Sequence, residues 1–199
     1  MGSAEYFNRF ARGVQAGGRV PDISLWDRRQ QVKCQDLSPY DKLIAMIDIR
    51  ERKRIGVIGG ARPDMASREA AVRVGELIAI AGAVLVCGGL GGVMEAAALG
   101  AKKAGGLTIG IVPGGSTAEA NPSIDVPIAT GIGYARNAIV ALNADALIAV
   151  DGEYGTLSEI AYGIIYGKTV VGLGTWDIRG IIPAQTPEEA VRLALGGRS

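Results

Sequence analysis

Two side chains in this sequence are of the types that could handle a proton and an anion within one site, Glu159 and Arg136. Three glycine-bearing stretches accompany them. The most glycine-dense is Cys87-Gly-Gly-Leu-Gly-Gly-Val-Met-Glu95, with glycines at 88, 89, 91 and 92. It follows the apolar run Ala83-Val-Leu-Val86 and leads into Glu95–Ala104, which reads as a helix. Strand, glycine loop and helix together aim free backbone N–H groups and a helix N-terminus at an anion. Glycine lets the backbone turn sharply and approach a ligand with no side chain in the way. The expected chemistry is a phosphate cradle, with Val93 and Met94 at its exit into the helix.

The second stretch is Asp151-Gly-Glu-Tyr-Gly-Thr-Leu-Ser-Glu159, again between an apolar run and a helix. Gly155 and Thr156 open that helix, so Thr156 could offer a hydroxyl and an N–H to a phosphate. Glu159 falls one turn further on. It either reaches back toward a ligand or simply complements the helix dipole, a role worth about 0.3–1 kcal/mol. The third stretch is Gly59-Gly60, which ends the run Ile55-Gly-Val-Ile58. Arg136 opens a helix on the same side. It is either a clamp on phosphate or ribose, or an exposed arginine that the dipole disfavours. Asp151 and Glu153 set two acids beside this presumed anion site, where they repel phosphate unless a cation intervenes or they face ribose hydroxyls.

The elements that position these residues follow from periodicity. Strands are expected at 55–58, 83–87, 107–112, 126–130, 146–150 and 169–173, with helices at 66–81, 95–104, 134–143 and 156–166. A last helix follows Thr186-Pro-Glu-Glu189, a capping-box pattern, and ends near Leu195. Apolar strands alternating with helices predict an α/β fold: a Rossmann-like, doubly wound parallel sheet of six or seven strands with helices on both faces. Ligands of such sheets lie beyond the carboxyl ends of the strands, where the three glycine loops collect. Residues 1–37 show no clear period and read either as an extended arm that packs on the domain or a partner subunit, or as a partly disordered leader; Ser38-Pro-Tyr-Asp41 starts a helix ending near Arg50. The chain is therefore expected to divide into an N-terminal arm and helix, 1–52, and a Rossmann-like α/β domain, 53–199, with the glycine loops as its phosphate-binding edge. The basic run Arg52-Lys-Arg54 is expected to solvate the turn between them.

Composition removes several classes of function. With no histidine, neither a histidine-assisted nucleophile nor a histidine metal site can be assembled. The cysteines, Cys34 and Cys87, form no disulfide framework and no zinc spacing, and Cys87 is expected to pack at a strand end. No metal residues are assigned. No apolar run reaches the roughly 18 residues needed to cross a bilayer, and the start of the chain has no secretory pattern, so the expectation is a cytoplasmic protein with no membrane partner. The net charge of +1 falls short of a nucleic-acid signature. The core must be built from Ala, Val, Ile and Leu, since the chain is 48% hydrophobic but 5% aromatic.

The motifs Gly88-Gly-Leu-Gly-Gly-Val-Met94-Glu95, Gly106-Leu-Thr-Ile-Gly-Ile-Val-Pro-Gly114 and Tyr154-Gly-Thr-Leu-Ser-Glu159, in that order, resemble the LOG-type Rossmann family, formerly called lysine decarboxylase-like. The likeness covers about residues 54–195. That family includes phosphoribohydrolases, which split a nucleoside 5′-monophosphate into base and ribose 5-phosphate, and molybdenum-cofactor carrier proteins. The resemblance implies Gly59, Gly60, Gly88, Gly89, Gly91, Gly92, Val93, Met94, Gly155 and Thr156 as ligand-binding residues. It implies Arg136 and Glu159 as the catalytic pair.

Departures from the enzyme pattern matter. Where the enzymes carry Pro-Gly-Gly-x-Gly-Thr-x-x-Glu, this chain has acids, Asp151 and Glu153, at the Pro and second-Gly positions. Tyr134-Ala-Arg-Asn137 replaces an Arg-Lys-rich stretch, and Glu95 follows the first loop. These features place the resemblance nearest the carrier-type branch. The expected function is to hold a phosphorylated nucleotide-like ligand, a nucleoside 5′-monophosphate or the molybdenum cofactor, with no required cofactor. The alternative is phosphoribohydrolase activity. A homodimer or higher homo-oligomer is also implied. Nothing marks Lys102, Lys103 or Lys168 as the cofactor-bearing lysine of a decarboxylase.

Overall fold

A computed structural model describes residues 51–197. The arm at 1–37, the helix begun at Ser38, the proposed boundary at residue 52 and Cys34 fall outside, or rest on residues outside, the described part. The order is β1 (Arg54–Gly59), α1 (Met65–Ile80), β2 (Val84–Cys87), α2 (Val93–Lys103), β3 (Thr108–Val112), β4 (Val126–Ala129), α3 (Arg136–Asn143), β5 (Ala146–Val150), α4 (Tyr154–Ile165), β6 (Thr169–Leu173), β7 (Ile181–Ala184) and α5 (Pro187–Ala194). Seven strands form one sheet in the order β4-β3-β2-β1-β5-β6-β7. Every pairing is parallel. The fold class is the one the periodicity predicts.

Alternation along the central strands explains the two layers of helices. Ile55 and Val57 of β1, with Ala146, Ile148 and Val150 of β5, join a core closed by α1, α2 and α5. Ile58, Leu147 and Ala149 point the other way, into a core with Val140 and Ala141 of α3 and Ile160 of α4. On the first face α1 and α2 touch backbone to backbone. A Cβ built on Gly75 would strike the Ala97 carbonyl, and one built on Gly100 would strike the Val72 carbonyl.

The seventh strand, Ile181–Ala184, is missing from the strand-by-strand reading. Pro183 interrupts its pattern, and a proline is tolerated there because the strand lies on an edge, with one neighbour only. The opposite edge strand, β4, carries Pro127 in the same way. Helix α4 starts at Tyr154, two residues before the expected point, so Gly155 and Thr156 sit within its first turn. The basic run does more than solvate a turn. Lys53 Nζ donates to the Leu195 carbonyl at the end of α5 (2.7 Å), and Arg54 pairs with Asp145 (3.0 Å). Thr186 caps α5 as its pattern predicts, accepting from the Glu189 N–H at 3.2 Å.

Cys87 packs at the end of β2 and is fully buried, which pushes its thiol up to about 12. Since the thiolate is the reactive form, Cys87 of a Cys34→Ser chain is expected to react with a disulfide reagent far more slowly when folded than in denaturant. Equal rates in the two conditions would contradict the burial.

Candidate functional site

The strand order reverses between β1 and β5, the two strands on which the sheet was wound outward in opposite directions. A crevice opens at such a point, beyond the carboxyl ends of the strands. Gly59-Gly60 leaves β1 there, Asp151-Gly152 leaves β5, and the Gly88–Gly92 loop leaves β2 next door. The first and third loops are stitched together, because the Val93 N–H donates to the Gly60 carbonyl at 3.0 Å. A Cβ on Gly59 would meet Val93 at 2.6 Å. Gly92 caps α2 with φ 73, a left-handed conformation that glycine adopts without strain. Beyond Val93, the N–H groups of Met94 and Glu95 have no acceptor within the helix, as in any first turn. Glu95 lies beside the loop, its Oε2 3.9 Å from where Gly91 would carry a Cβ.

Arg136 and Glu159 come together from two helices. Both are buried, with 7% of each side chain exposed. Arg136 Nη1 lies 3.5 Å from Glu159 Oε1 and also donates to Asn137 Oδ1. Nη2 donates to the Gly88 carbonyl at 3.4 Å, while Nε, also buried, has no partner among the described residues. The guanidinium therefore ties α3 to the glycine loop through long contacts and keeps unspent donor capacity. It fits only because residue 88 is glycine; a Cβ there would lie 2.5 Å from Nη2 and 2.6 Å from Met94 Sδ. Burial pushes the Glu159 carboxyl up to about 8, and the Arg136 charge draws it partly back. Arg136 is not the exposed arginine of the alternative, and Glu159 is the sixth residue of α4, past the first turn where a carboxylate caps the helix or complements its dipole.

Spacing carried a signal of this burial. Arg136 and Asn137 stand one turn before Val140 and Ala141, on the core face of α3. Thr156, Glu159, Ile160 and Gly163 form the corresponding buried stripe of α4. Asn137, which the sequence reading did not single out, bridges the helices. Its Nδ2 donates to Ser158 Oγ (2.9 Å) and to the Gly155 carbonyl (3.3 Å), and its Oδ1 accepts from Arg136. A second missed residue is Asn121, which bonds the Gly88–Gly92 loop from outside. Nothing in a loop reading Asn-Pro-Ser announced it.

The other expected residues are placed less uniformly. Thr156 is buried under Gly152, whose Cβ position is 2.6 Å from its Oγ1. The Gly155 carbonyl is used within the site by Asn137 and Ser158. Gly89 packs beneath the loop against Val112 and Gly110, and Gly91 is exposed. Asp151 holds φ 53, a conformation uncommon outside glycine, fixed by Thr175 Oγ1 donating to its carbonyl at 2.6 Å. Its Oδ2 lies 3.2 Å from where Gly60 would carry a Cβ. Among the described residues no group of His, Cys, Asp or Glu is arranged to hold a metal ion. A separate groove of about 590 Å³ follows α1 from Pro63 to Glu76 and includes neither Arg136 nor Glu159. No helix of the described residues is long and apolar enough to cross a membrane.

Residues 52–195 match the model of the SLOG cluster4 family. An uncharacterized protein of Archaeoglobus fulgidus is 49% identical over 143 residues, covering 71% of this chain and 94% of that protein. Among solved structures, the molybdenum cofactor binding protein of Rippkaea orientalis superimposes with a TM-score of 0.67 at 38% identity, over 71% of this chain and 94% of that one. The Moco carrier protein of Chlamydomonas reinhardtii gives 0.66 at 36% identity, over 72% and 96%.

Proposed function

The chain belongs to the SLOG cluster4 family, and from that premise we propose that it holds a phosphorylated, nucleotide-like ligand at the carboxyl edge of its sheet, either the molybdenum cofactor or a nucleoside 5′-monophosphate. The observation that carries this reading is the buried, under-used guanidinium of Arg136 against the Gly88–Gly92 loop. A buried cation with spare donors is satisfied by an anion, and arginine binds phosphate through paired N–H groups. The likeness to molybdenum-cofactor binding proteins at 36–38% identity supports the same class of ligand. The rings of Tyr154 and Trp176, 6.1 Å apart and both solvent-accessible, flank the first turn of α4 and offer apolar surface to a heterocycle. In this arrangement the phosphate end faces the loop and Arg136, and the chain's own work is to bind and orient.

A second reading is favoured by Glu159. A buried acid held near neutrality beside a cation is a common device of catalytic sites. In that reading the ligand is a nucleoside 5′-monophosphate and the reaction is hydrolysis. Water oxygen bonds to C1′ as the C1′–N bond breaks, the base leaves with the bonding electrons, and the water proton ends on the base. Glu159 hydrogen-bonds the ribose while positive charge develops there, and Arg136 holds the phosphate.

Incubation with AMP separates the two. Under the binding reading, equilibrium dialysis shows AMP or molybdopterin retained, and chromatography finds no adenine or ribose 5-phosphate. Adenine release that Glu159→Ala abolishes would replace binding alone with hydrolysis.

A further inference from the structure

Asn121 lies between β3 and β4 and is bonded to the glycine loop three times. Its backbone N–H donates to the Gly89 carbonyl at 2.9 Å, and its Nδ2 donates to the same carbonyl at 3.1 Å and to the Leu90 carbonyl at 2.9 Å. The other end of the side-chain amide is fixed as well, because Oδ1 accepts from the Ser123 N–H at 3.0 Å. The amide is thereby held with its NH2 toward the loop.

The consequence follows from peptide geometry. In a planar trans peptide, the carbonyl of one residue and the N–H of the next point in opposite directions. No cis peptide occurs among the described residues. Drawing the Gly89 and Leu90 carbonyls toward Asn121 therefore turns the N–H groups of Leu90 and Gly91 away from it. The preceding peptide is fixed separately, its carbonyl on Arg136 and its N–H 3.4 Å from Cys87 Sγ. A loop so rich in glycine would otherwise exchange peptide orientations easily. A carbonyl turned the wrong way would remove a donor and set a partial negative charge toward an anion.

We propose that Asn121 is a positioning residue that presets the Gly88–Gly92 loop as an anion cradle, with the Leu90 and Gly91 N–H groups as the donors to a phosphoryl oxygen. The proposal rests on the phosphorylated-ligand reading and adds which backbone groups make the contact and what aligns them.

The test is titration of the full-length, ¹⁵N-labelled protein with AMP and with inorganic phosphate, followed through its backbone amide resonances, in wild type and Asn121→Asp. The aspartate keeps the size but turns a donor into a carboxylate facing two carbonyls. In wild type the Leu90 and Gly91 amide protons are expected to move downfield on binding. Asn121→Asp is expected to lose that response and to bind about ten- to a hundredfold more weakly, the range for hydrogen bonds to a charged group. Its unfolding should stay cooperative, at a midpoint below that of wild type, because two part-buried carbonyls lose their donor. Asn121→Ala, which keeps the backbone bond and adds no charge, is expected to lose less in the same direction and serves if the aspartate variant does not fold. Wild-type binding that leaves Leu90 and Gly91 unmoved, or equal affinity in the variants, overturns the role of Asn121 alone. A wild-type protein that binds neither AMP nor phosphate overturns the ligand reading and this inference with it.

Discussion

Gly75→Ala is expected to destabilise the domain by about 3 kcal/mol or more, although alanine ordinarily gains about 1 kcal/mol over glycine inside a helix. The sign is decided by what the new methyl would touch. Besides the Ala97 carbonyl oxygen, its position is 2.8 Å from the Ala97 carbonyl carbon and 2.9 Å from the Ala101 nitrogen. All three are backbone atoms of α2, so no side chain can rotate aside. The contact is reciprocal, since Gly100 of α2 stands in the same relation to Val72 and to the Glu76 nitrogen (3.1 Å). Relief requires α1 and α2 to separate, which opens the core at Ala71, Val74, Ala97 and Ala101. Overpacking of this kind typically costs about 1–3 kcal/mol, and a rigid backbone neighbour puts it at or beyond the upper end. Urea unfolding of Gly75→Ala beside Gly115→Ala makes the comparison, because a Cβ at Gly115 meets nothing within 4 Å. Similar midpoints for the two variants would show that the helices can slide apart at little cost.

Arg136→Met is expected to abolish detectable binding of AMP and to destabilise the fold in a pH-dependent way. Truncating one partner of a buried pair usually costs about 3–5 kcal/mol because the other charge is stranded. Here the stranded group can take up a proton. Glu159 has a folded pKa of about 8 against an ordinary value of 4.5, raised by burial and held down in part by Arg136. The fold binds this proton more tightly than the unfolded chain does. Its contribution is therefore complete below about pH 4.5 and is lost as pH rises through about 8. Removing Arg136 pushes the folded pKa higher still, so the variant goes on losing stability where wild type levels off. The gap between the two should be smallest near pH 5 and widest above pH 8. Denaturant unfolding at pH 5, 7 and 9 measures it, and a gap independent of pH would contradict the buried, protonatable state of Glu159. Glu159→Gln should flatten the profile between pH 4.5 and 8.

The sheet was legible wherever strands are buried on both faces, because Ile55–Ile58, Ala83–Cys87 and Ala146–Val150 are then continuous apolar runs. β7 was not, because Ile181-Ile182 before Pro183 shows no alternation, whereas the other edge strand, β4, keeps Val126 and Ile128 alternating around Pro127. The site was half legible. Glycine loops and the types of Arg136 and Glu159 can be read from sequence, and helical spacing carried their burial. Their pairing could not be read, because it joins residues of different helices across the sheet edge. Asn121 was the least visible. Its role depends on a contact with residues some thirty positions away, which no local pattern encodes.

The strand order has a consequence for how the polypeptide is made. β2, β3 and β4 each lie beside their predecessor, so the half ending at Ala129 can condense from near-neighbour contacts as it leaves the ribosome. The other edge of β1 stays bare until Ala146–Val150 has been synthesised and returns to it. The crevice between those two strands is thus the seam where an early half and a late half of the molecule are joined. Arg136 and Glu159 both belong to the late half, whereas the glycine loop that Arg136 contacts belongs to the early one. A nascent chain has the Gly88–Gly92 loop first and gains Arg136 and Glu159 only as the seam closes.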